Sequence, residues 1–349
     1  MQNFLSSRAR VTAPYTAGAQ PQNYDIIKLN TNENPYPPSP EAVKAYQSFD
    51  ASRLRLYPHP EGGALRTAVS DLTGLPESYV FCGNGSDEVL GFAFLAFFDG
   101  GIIFPDITYS FYKVWAQLYN ISYTLLPVRE DFTIPPDQMR AQGGVVLANP
   151  NAPTGIALPL KDVETVLNNN PDCVVIVDEA YSAFGAESAD SLIAKYPNLL
   201  VVHTMSKSHA LAGLRAAYAL GQPHLIEGLT RVKDCFNSYP LDAAAQNMAA
   251  AALRDTAYYA EITQQVIATR ERTAQRLREL GFDVLPSSTN FVFVTKKGAD
   301  ASRLKAWMEE SHIYVRHFGV PRIAQYLRIT IGTDEQMDRV LARVAAFPG

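Results

Sequence analysis

Cys173-Val174-Val175-Ile176-Val177-Asp178-Glu179-Ala180-Tyr181 opens with an apolar run of five residues that stops at an acid, Asp178. An unbroken run of this length, rich in β-branched residues, suits a strand buried on both faces, as in a parallel sheet. The acid then falls at the strand's C-terminal end. A second such run, Leu199-Leu200-Val201-Val202-His203-Thr204, leads through Met205 to Ser206 and Lys207. Open α/β sheets bind ligands beyond the carboxyl ends of their strands. Asp178, Tyr181, Ser206 and Lys207 are therefore expected along one edge of one sheet.

Working outward, strand and helix patterns alternate from about residue 62. Strands are expected at 79–82, 102–104, 123–126 and 145–147, and helices at 87–98 and 109–118. Leu65, Val69 and Leu72 mark one helical face that Gly74 closes. Ser39-Pro40-Glu41 starts a short helix with a capping residue, proline at the first helical position and an acid in the first turn. The stretch before about Asn30 reads as irregular. The fold class is α/β, a large unit with a mostly parallel central sheet flanked by helices, plus a smaller α+β unit. The second unit is marked by an Ala-rich helix over 241–253 and a long helix ending at Leu280-Gly281. Short strands at 291–294 and 326–331 follow, with a helix over 304–310 between them and a last helix from Asp334. The expected division is 1–45 as an N-terminal segment packing with the small unit, 46–240 as the large domain and 241–349 as the small domain.

The chain has 349 residues, enough for about two domains. With 47% hydrophobic and 19% charged residues it has an ordinary globular composition. A formal net charge of −5 argues against a nucleic-acid or anionic-membrane partner. The most hydrophobic segment, 89–98, is about half a membrane span, and the N-terminus lacks the apolar core of a signal peptide. Three scattered cysteines with no CxxC pair suggest a reduced, cytoplasmic protein, with Cys82 and Cys173 read as core residues. The six histidines show no metal-ligand spacing, so no metal is expected.

A lysine at a strand end, beside cationic neighbours, can be a nucleophile of lowered pKa and form a Schiff base. An aspartate there can hold a pyridine nitrogen protonated, and Tyr181, three residues on, can support a ring oxygen. That combination suits pyridoxal 5′-phosphate (PLP). Gly83-Asn84-Gly85-Ser86-Asp87-Glu88 joins a strand to a helix. Glu88 holds the third position of a GxGxxG fingerprint, and no GxxxxGK[ST] exists, so a dinucleotide or nucleoside triphosphate is disfavoured. A helix N-terminus that can take one phosphate remains, with Ser206 and Arg215 completing the cup. Tyr109 reads either as a core aromatic or as a flat lid on a bound ring. Asn149-Pro150-Asn151-Ala152-Pro153 is a rigid loop that can aim side-chain amides at a ligand.

GNGSDE (83–88), NPNAPTG (149–155), DEAY (178–181), SKSHALAGLR (206–215) and RITIGT (328–333), in this order, resemble the fold-type I PLP-dependent aminotransferases. Within them the chain is similar to the branch acting on histidinol phosphate, from about residue 29 to the C-terminus. The resemblance implies transfer of an amino group between L-histidinol phosphate and 2-oxoglutarate, giving imidazole acetol phosphate and glutamate, in histidine biosynthesis. Lys207 would carry the Schiff base and act as proton-transfer base. Asp178 would pair with the ring nitrogen, Tyr181 with the 3′ oxygen, and Tyr109 would stack on the ring. Gly85, Ser86, Asp87, Ser206 and Arg215 would hold the phosphate. Tyr57 would reach the cofactor of a neighbouring subunit, which implies a homodimer with shared sites. Arg328 and Arg316 would bind substrate anions, with Asn32 and Asn290 as further substrate contacts. The family often places asparagine where this chain has Ala152, and Asn151 is the expected replacement. An aromatic amino-acid aminotransferase, a threonine-phosphate decarboxylase-like enzyme and, from another class, a PLP-responsive regulator are the alternatives.

Overall fold

The computed structural model describes residues 4–15, 18, 20–21 and 26–348. The first described elements are a short helix, α1 (Ser7–Val11), and a short strand, β1 (Ile27–Leu29), within the stretch expected to be irregular. Residues 1–3, 16, 17, 19 and 22–25 of that stretch lie outside the description. Helix α2 (Pro40–Gln47) begins as its sequence predicts: the Ser39 hydroxyl accepts from the Ala42 N–H at 3.2 Å, and proline opens the first turn. Helix α3 (Gly63–Thr73) buries Leu65 and Val69 and ends on Gly74 with φ 71°. Leu72 is 48% exposed, so the buried face is narrower than its spacing suggested.

The alternating region follows as β2 (Val80–Gly83), α4 (Ser86–Phe97), β3 (Ile102–Pro105), α5 (Phe111–Leu118), β4 (Tyr123–Leu126), β5 (Gly144–Ala148), α6 (Leu160–Asn169), β6 (Val175–Asp178), β7 (Leu199–Thr204) and β8 (Ala217–Gly221). Their sheet order is β2-β8-β7-β6-β5-β3-β4. Neighbours from β7 to β4 pair in parallel, and β8 alone runs against the rest. No strand was expected at β8. The SKSHALAGLR segment is the connection that turns β7 back into this antiparallel partner, and its lack of periodicity hid the strand behind it.

Both faces of the sheet are covered, which explains the unbroken apolar runs. Val175 and Val177 pack into one core with Val145, Leu147, Leu199 and Val201. Ile176 packs into the opposite core with Val146, Leu200, Val202 and the buried face of α4. Cys173 lies before β6 and is half-buried, so only Cys82 is a core cysteine; all three thiols are free.

The chain continues through α7 (Pro223–Phe236), α8 (Ala243–Arg254), α9 (Thr256–Glu279), β9 (Asp283–Val284), β10 (Phe291–Thr295), α10 (Ala301–Glu309), β11 (Ile313–His317), β12 (Leu327–Thr330) and α11 (Asp334–Ala345). The second sheet has the order β1-β11-β12-β10-β9, with β1 parallel to β11 and the other pairs antiparallel. The N-terminal strand thus returns to pair with residues nearly 300 positions away. Its core gathers Ile27, Leu29, Val292, Val294, Val315, Ile329 and Met337. Helix α8, grouped by sequence with residues 241–349, instead sets Ala245, Met248, Ala249 and Leu253 into the core of the large sheet. Among the described residues no helix is long and apolar enough to cross a membrane.

Candidate active site

A cavity of about 400 Å³ opens where β5, β6 and β7 end, lined there by Ala148, Asp178 and Thr204. The segment after β1 forms a second wall with Asn30, Thr31, Asn32 and Glu33, and the small sheet adds Arg316 and Arg328. Ser86, Asp87, Tyr109, Tyr181, Ser206, Lys207 and Arg215 also line it. Eleven of the fifteen residues singled out by sequence therefore meet at this cavity, counting Asp178, Asn32, Arg316 and Arg328 with those seven.

Lys207 follows β7 by three residues. Its Nζ donates to the Thr31 carbonyl at 3.0 Å, and its own carbonyl accepts from Asn34 Nδ2 at 2.9 Å. The amine is thus held against the N-terminal segment by main-chain and side-chain contacts. Burial pushes its pKa down to about 8, and the Arg328 guanidinium adds to the effect. At pH 7 roughly a tenth of such amines are neutral, against a few in ten thousand for an ordinary lysine.

Asp178 ends β6 and is 6% exposed. One oxygen accepts from the Tyr112 hydroxyl at 2.8 Å, and the other from the Ala180 N–H at 3.3 Å. Burial raises its pKa to about 6, opposed by those two donors. A buried carboxylate so poised gains from a cationic partner placed in the cavity. The Tyr181 hydroxyl accepts from Asn32 Nδ2 at 2.8 Å. Burial raises the Tyr181 pKa, opposed by Arg328 and by the Asn32 donor.

Gly85 precedes α4 with φ 86° and ψ 155°, a conformation essentially reserved for glycine. A Cβ there would come within 2.5 Å of Arg215 Nη2. The guanidinium therefore lies close against the turn, near the unpaired N–H groups that open α4. Asp87 accepts from the Tyr109 hydroxyl at 2.9 Å and faces Arg215 Nη2 at 3.5 Å. Its carboxylate holds those two side chains in place, while the anion-binding capacity of the turn comes from backbone N–H groups and Arg215. Ser206 is 5% exposed, and its Oγ accepts from the Thr204 hydroxyl at 3.0 Å.

At the other end, Arg316 and Arg328 are direct partners across β11 and β12. Both guanidinium groups lie over the Phe318 ring, each 5.6 Å from its centroid. Arg328 Nη2 donates to the Asn30 carbonyl at 3.0 Å, but its buried Nε has no hydrogen-bond partner. Two like charges and an orphaned buried donor suit an anion.

Four expected site residues stand elsewhere. Asn151 is 1% exposed, and its amide is consumed inside its own loop. It donates to the Ile107 carbonyl at 2.9 Å and the Thr154 hydroxyl at 3.0 Å, and accepts from Thr108 at 2.8 Å. It does not stand in for the asparagine missing at Ala152. Asn149 is likewise spent, pairing with both backbone groups of Leu158. Asn290 donates to the Asn32 carbonyl at 2.9 Å and lies beneath the wall rather than on it. Gly85 is not on the cavity wall, whereas its neighbour Ser86 and the Arg215 side chain packed against it are. Tyr57 is 82% exposed, stacked on Tyr239 at 4.6 Å, outside this chain's cavity.

The sequence reading passed over Tyr112, Thr31, Asn34, Glu33 and Tyr15, which stacks on Phe111 at 4.7 Å beside the cavity. Thr31, Glu33 and Asn34 flank Asn32 in a turn-rich stretch that also resembles the family, whereas Tyr112 has only its spacing of three from Tyr109, a pattern that reads as core. His203 meets Asp190 at 2.8 Å and Glu179 at 3.9 Å. Burial alone would lower the His203 pKa, but these carboxylates carry it up to about 9.

An amine of lowered basicity, a buried carboxylate, an anion cup at one end and two arginines at the other fit a phosphorylated pyridine aldehyde with an anionic substrate beyond it. Residues 24–344 match the family model described as aminotransferase class I and II. The chain belongs to that family. It is 53% identical over 348 residues to a histidinol-phosphate aminotransferase of Marinomonas sp. (strain MWYL1), spanning 98% of this chain and 99% of that one. A histidinol-phosphate aminotransferase of Acetobacter pasteurianus is 52% identical, over 98% and 97% of the two chains. The crystal structure of the histidinol-phosphate aminotransferase from Sinorhizobium meliloti, in complex with pyridoxal-5′-phosphate, matches with a TM-score of 0.80 at 25% identity, over 91% of this chain and 90% of that one.

Proposed function

We infer that the protein is a PLP-dependent transaminase that moves an amino group between L-histidinol phosphate and 2-oxoglutarate, giving imidazole acetol phosphate and glutamate, in histidine biosynthesis. The observation that carries this reading is the single cavity joining Lys207 and Asp178 to the Arg316–Arg328 pair, in a chain about half identical to two histidinol-phosphate aminotransferases.

Bound PLP supplies an aldehyde carbon for an amine and a ring that accepts the electron pair left when a Cα proton departs. Lys207 would hold the aldehyde covalently, and its neutral amine would move the donor's Cα proton. Its lowered pKa supports that role. Asp178 keeps the ring nitrogen protonated. Tyr181, oriented by Asn32, donates to the 3′ oxygen. Tyr109, anchored on Asp87, covers the ring face. The α4 N-terminus, Ser206 and Arg215 take the cofactor phosphate.

Histidinol phosphate carries a phosphate and no carboxylate, whereas glutamate carries two carboxylates. One pocket must accept unlike anions, and planar guanidinium forks bind either in bidentate fashion. Arg328, with its unpaired Nε, and Arg316 are assigned to that task.

A homodimer with shared sites belongs to the same proposal. Tyr57, stacked on Tyr239, is 82% exposed, and Leu56 and Leu54 just before it in the chain are 56% and 60% exposed, an apolar surface suited to a second copy. Three unpaired thiols suit a reducing, cytoplasmic setting. We place the domain boundary between α8 and α9, following the packing of α8.

The test is a half-reaction assay on the PLP-loaded protein. Histidinol phosphate should convert the cofactor's visible absorbance to that of its aminated form, and 2-oxoglutarate should restore it. No change with histidinol phosphate, but full conversion with phenylalanine or threonine phosphate, would replace the substrate assignment.

A further inference from the structure

Tyr112 is assigned no part in the chemistry by the account above, yet it makes the shortest hydrogen bond to Asp178. Its ring is fully buried on α5, enclosed by Phe94, Phe104, Tyr109 and Trp115 at centroid distances of 6.3, 5.9, 5.6 and 6.3 Å. A phenol in such a nest has no freedom to wander, so its hydroxyl is a fixed donor 2.8 Å from Asp178 Oδ2. The other donor, the Ala180 N–H, is longer at 3.3 Å. Tyr112 also meets the Tyr109 ring edge-on, with an interplanar angle of 88°. One side chain therefore braces both the acid beneath the cavity and the aromatic that covers it.

We propose that Tyr112 is a positioning residue for the transamination: it fixes the Asp178 carboxylate and holds it in the ionised form that grips the cofactor's ring nitrogen. This rests on the PLP reading above. Tyr112 does not line the cavity, so it acts only through its neighbours.

The alternative is a core tyrosine whose hydroxyl found a convenient acceptor, as buried tyrosines do. The two readings differ in what the hydroxyl controls. A hydrogen bond to the charged carboxylate favours ionisation, so its loss shifts the protonation balance of Asp178 upward. Other groups bear on the same balance. They are Asp87 on α4, His203 on β7, Tyr109 before α5 and Tyr181 after β6. The Tyr112 hydroxyl is the largest opposing influence to burial. Removing it while leaving the ring in place isolates its effect from the rest.

The experiment compares full-length wild type, Tyr112→Phe and Trp115→Phe. The last disturbs the same nest without touching Asp178. PLP affinity of each apoprotein is measured from pH 5 to 8, and the protonation of the bound ring nitrogen is read by nitrogen NMR with labelled cofactor. Affinity needs ionised Asp178, so it falls as pH drops through the acid's pKa. In Tyr112→Phe that fall should begin about one pH unit higher, with binding roughly fivefold weaker near pH 6 and approaching tenfold weaker near pH 5, and the ring nitrogen should lose proton occupancy. Trp115→Phe should keep the wild-type profile. An unshifted profile and nitrogen signal in Tyr112→Phe overturns the proposal. So does an equal shift in Trp115→Phe, which would trace the effect to packing. Should Tyr112→Phe fail to fold, Tyr112 is a structural residue and the proposal falls. A wild-type protein that binds no PLP would refute the functional reading instead, a separate outcome.

Discussion

Replacing Gly85 with alanine tests the anion cup through a single methyl group. The new Cβ would sit 2.5 Å from Arg215 Nη2 and 3.0 Å from Cζ, well inside contact distance. The guanidinium is the end of a flexible side chain, so it moves away rather than forcing the turn apart. The backbone cost is separate: φ 86° and ψ 155° lie in a region where a non-glycine residue costs of order 1–3 kcal/mol. Displacing Arg215 forfeits a charge-assisted contact to the cofactor phosphate, about 1.5–3 kcal/mol, which is roughly 10–150-fold in affinity. Both terms are read from Gly85→Ala, Arg215→Ala and the double variant, by titrating PLP into apoprotein and by thermal melting. Gly85→Ala should weaken PLP binding into that range and lower the melting temperature. If the loss acts through Arg215, the double variant should bind PLP little worse than Arg215→Ala alone. Unchanged affinity in Gly85→Ala, or fully additive losses, would refute the reasoning.

Other consequences follow from the same geometry. Arg328→Ala should raise KM for both histidinol phosphate and 2-oxoglutarate by about 10-fold or more while PLP affinity stays near wild type; steady-state kinetics with each substrate varied would show it. Asn290→Ala removes the donor to the Asn32 carbonyl, so it should cost about 1–2 kcal/mol of stability by denaturant melting, with no selective loss of either substrate. For His203 the folded pKa, about 9, lies above the ordinary 6.5. Its ion pairs with Asp190 and Glu179 therefore contribute fully below about pH 6.5 and fade as pH rises through 9. Melting temperatures between pH 6.5 and 9.5 should fall more steeply in wild type than in His203→Asn.

What the sequence made legible, and what it did not, separates along chain distance. The runs before Asp178 and Lys207 are apolar on both faces because cores cover both sides of the sheet, so strands and their ends could be read directly. The residues at those ends then had to meet, and they do. Asn151 and Asn290 were misplaced for a different reason: an amide's partners are set by loop geometry that composition does not encode. Asn151 turns inward to Ile107 and Thr154, which no local pattern announces. The contact of Asn32 with Tyr181 spans 149 positions, and that of Lys207 with Thr31 spans 176. Such pairs exist only once β1 has joined β11 and carried the N-terminal segment across the cavity. β8 (Ala-Tyr-Ala-Leu-Gly) carries no β-branched residue and β11 (Ile-Tyr-Val-Arg-His) ends on two polar ones, so neither makes the apolar run that marks the other strands.

The most direct test of the whole account is where the cofactor attaches. Apoprotein incubated with PLP, reduced with borohydride and digested should yield one modified peptide, with the pyridoxyl group on the side-chain nitrogen of Lys207; Lys207→Ala should yield none. Modification spread over surface lysines, or absent from position 207, would contradict it.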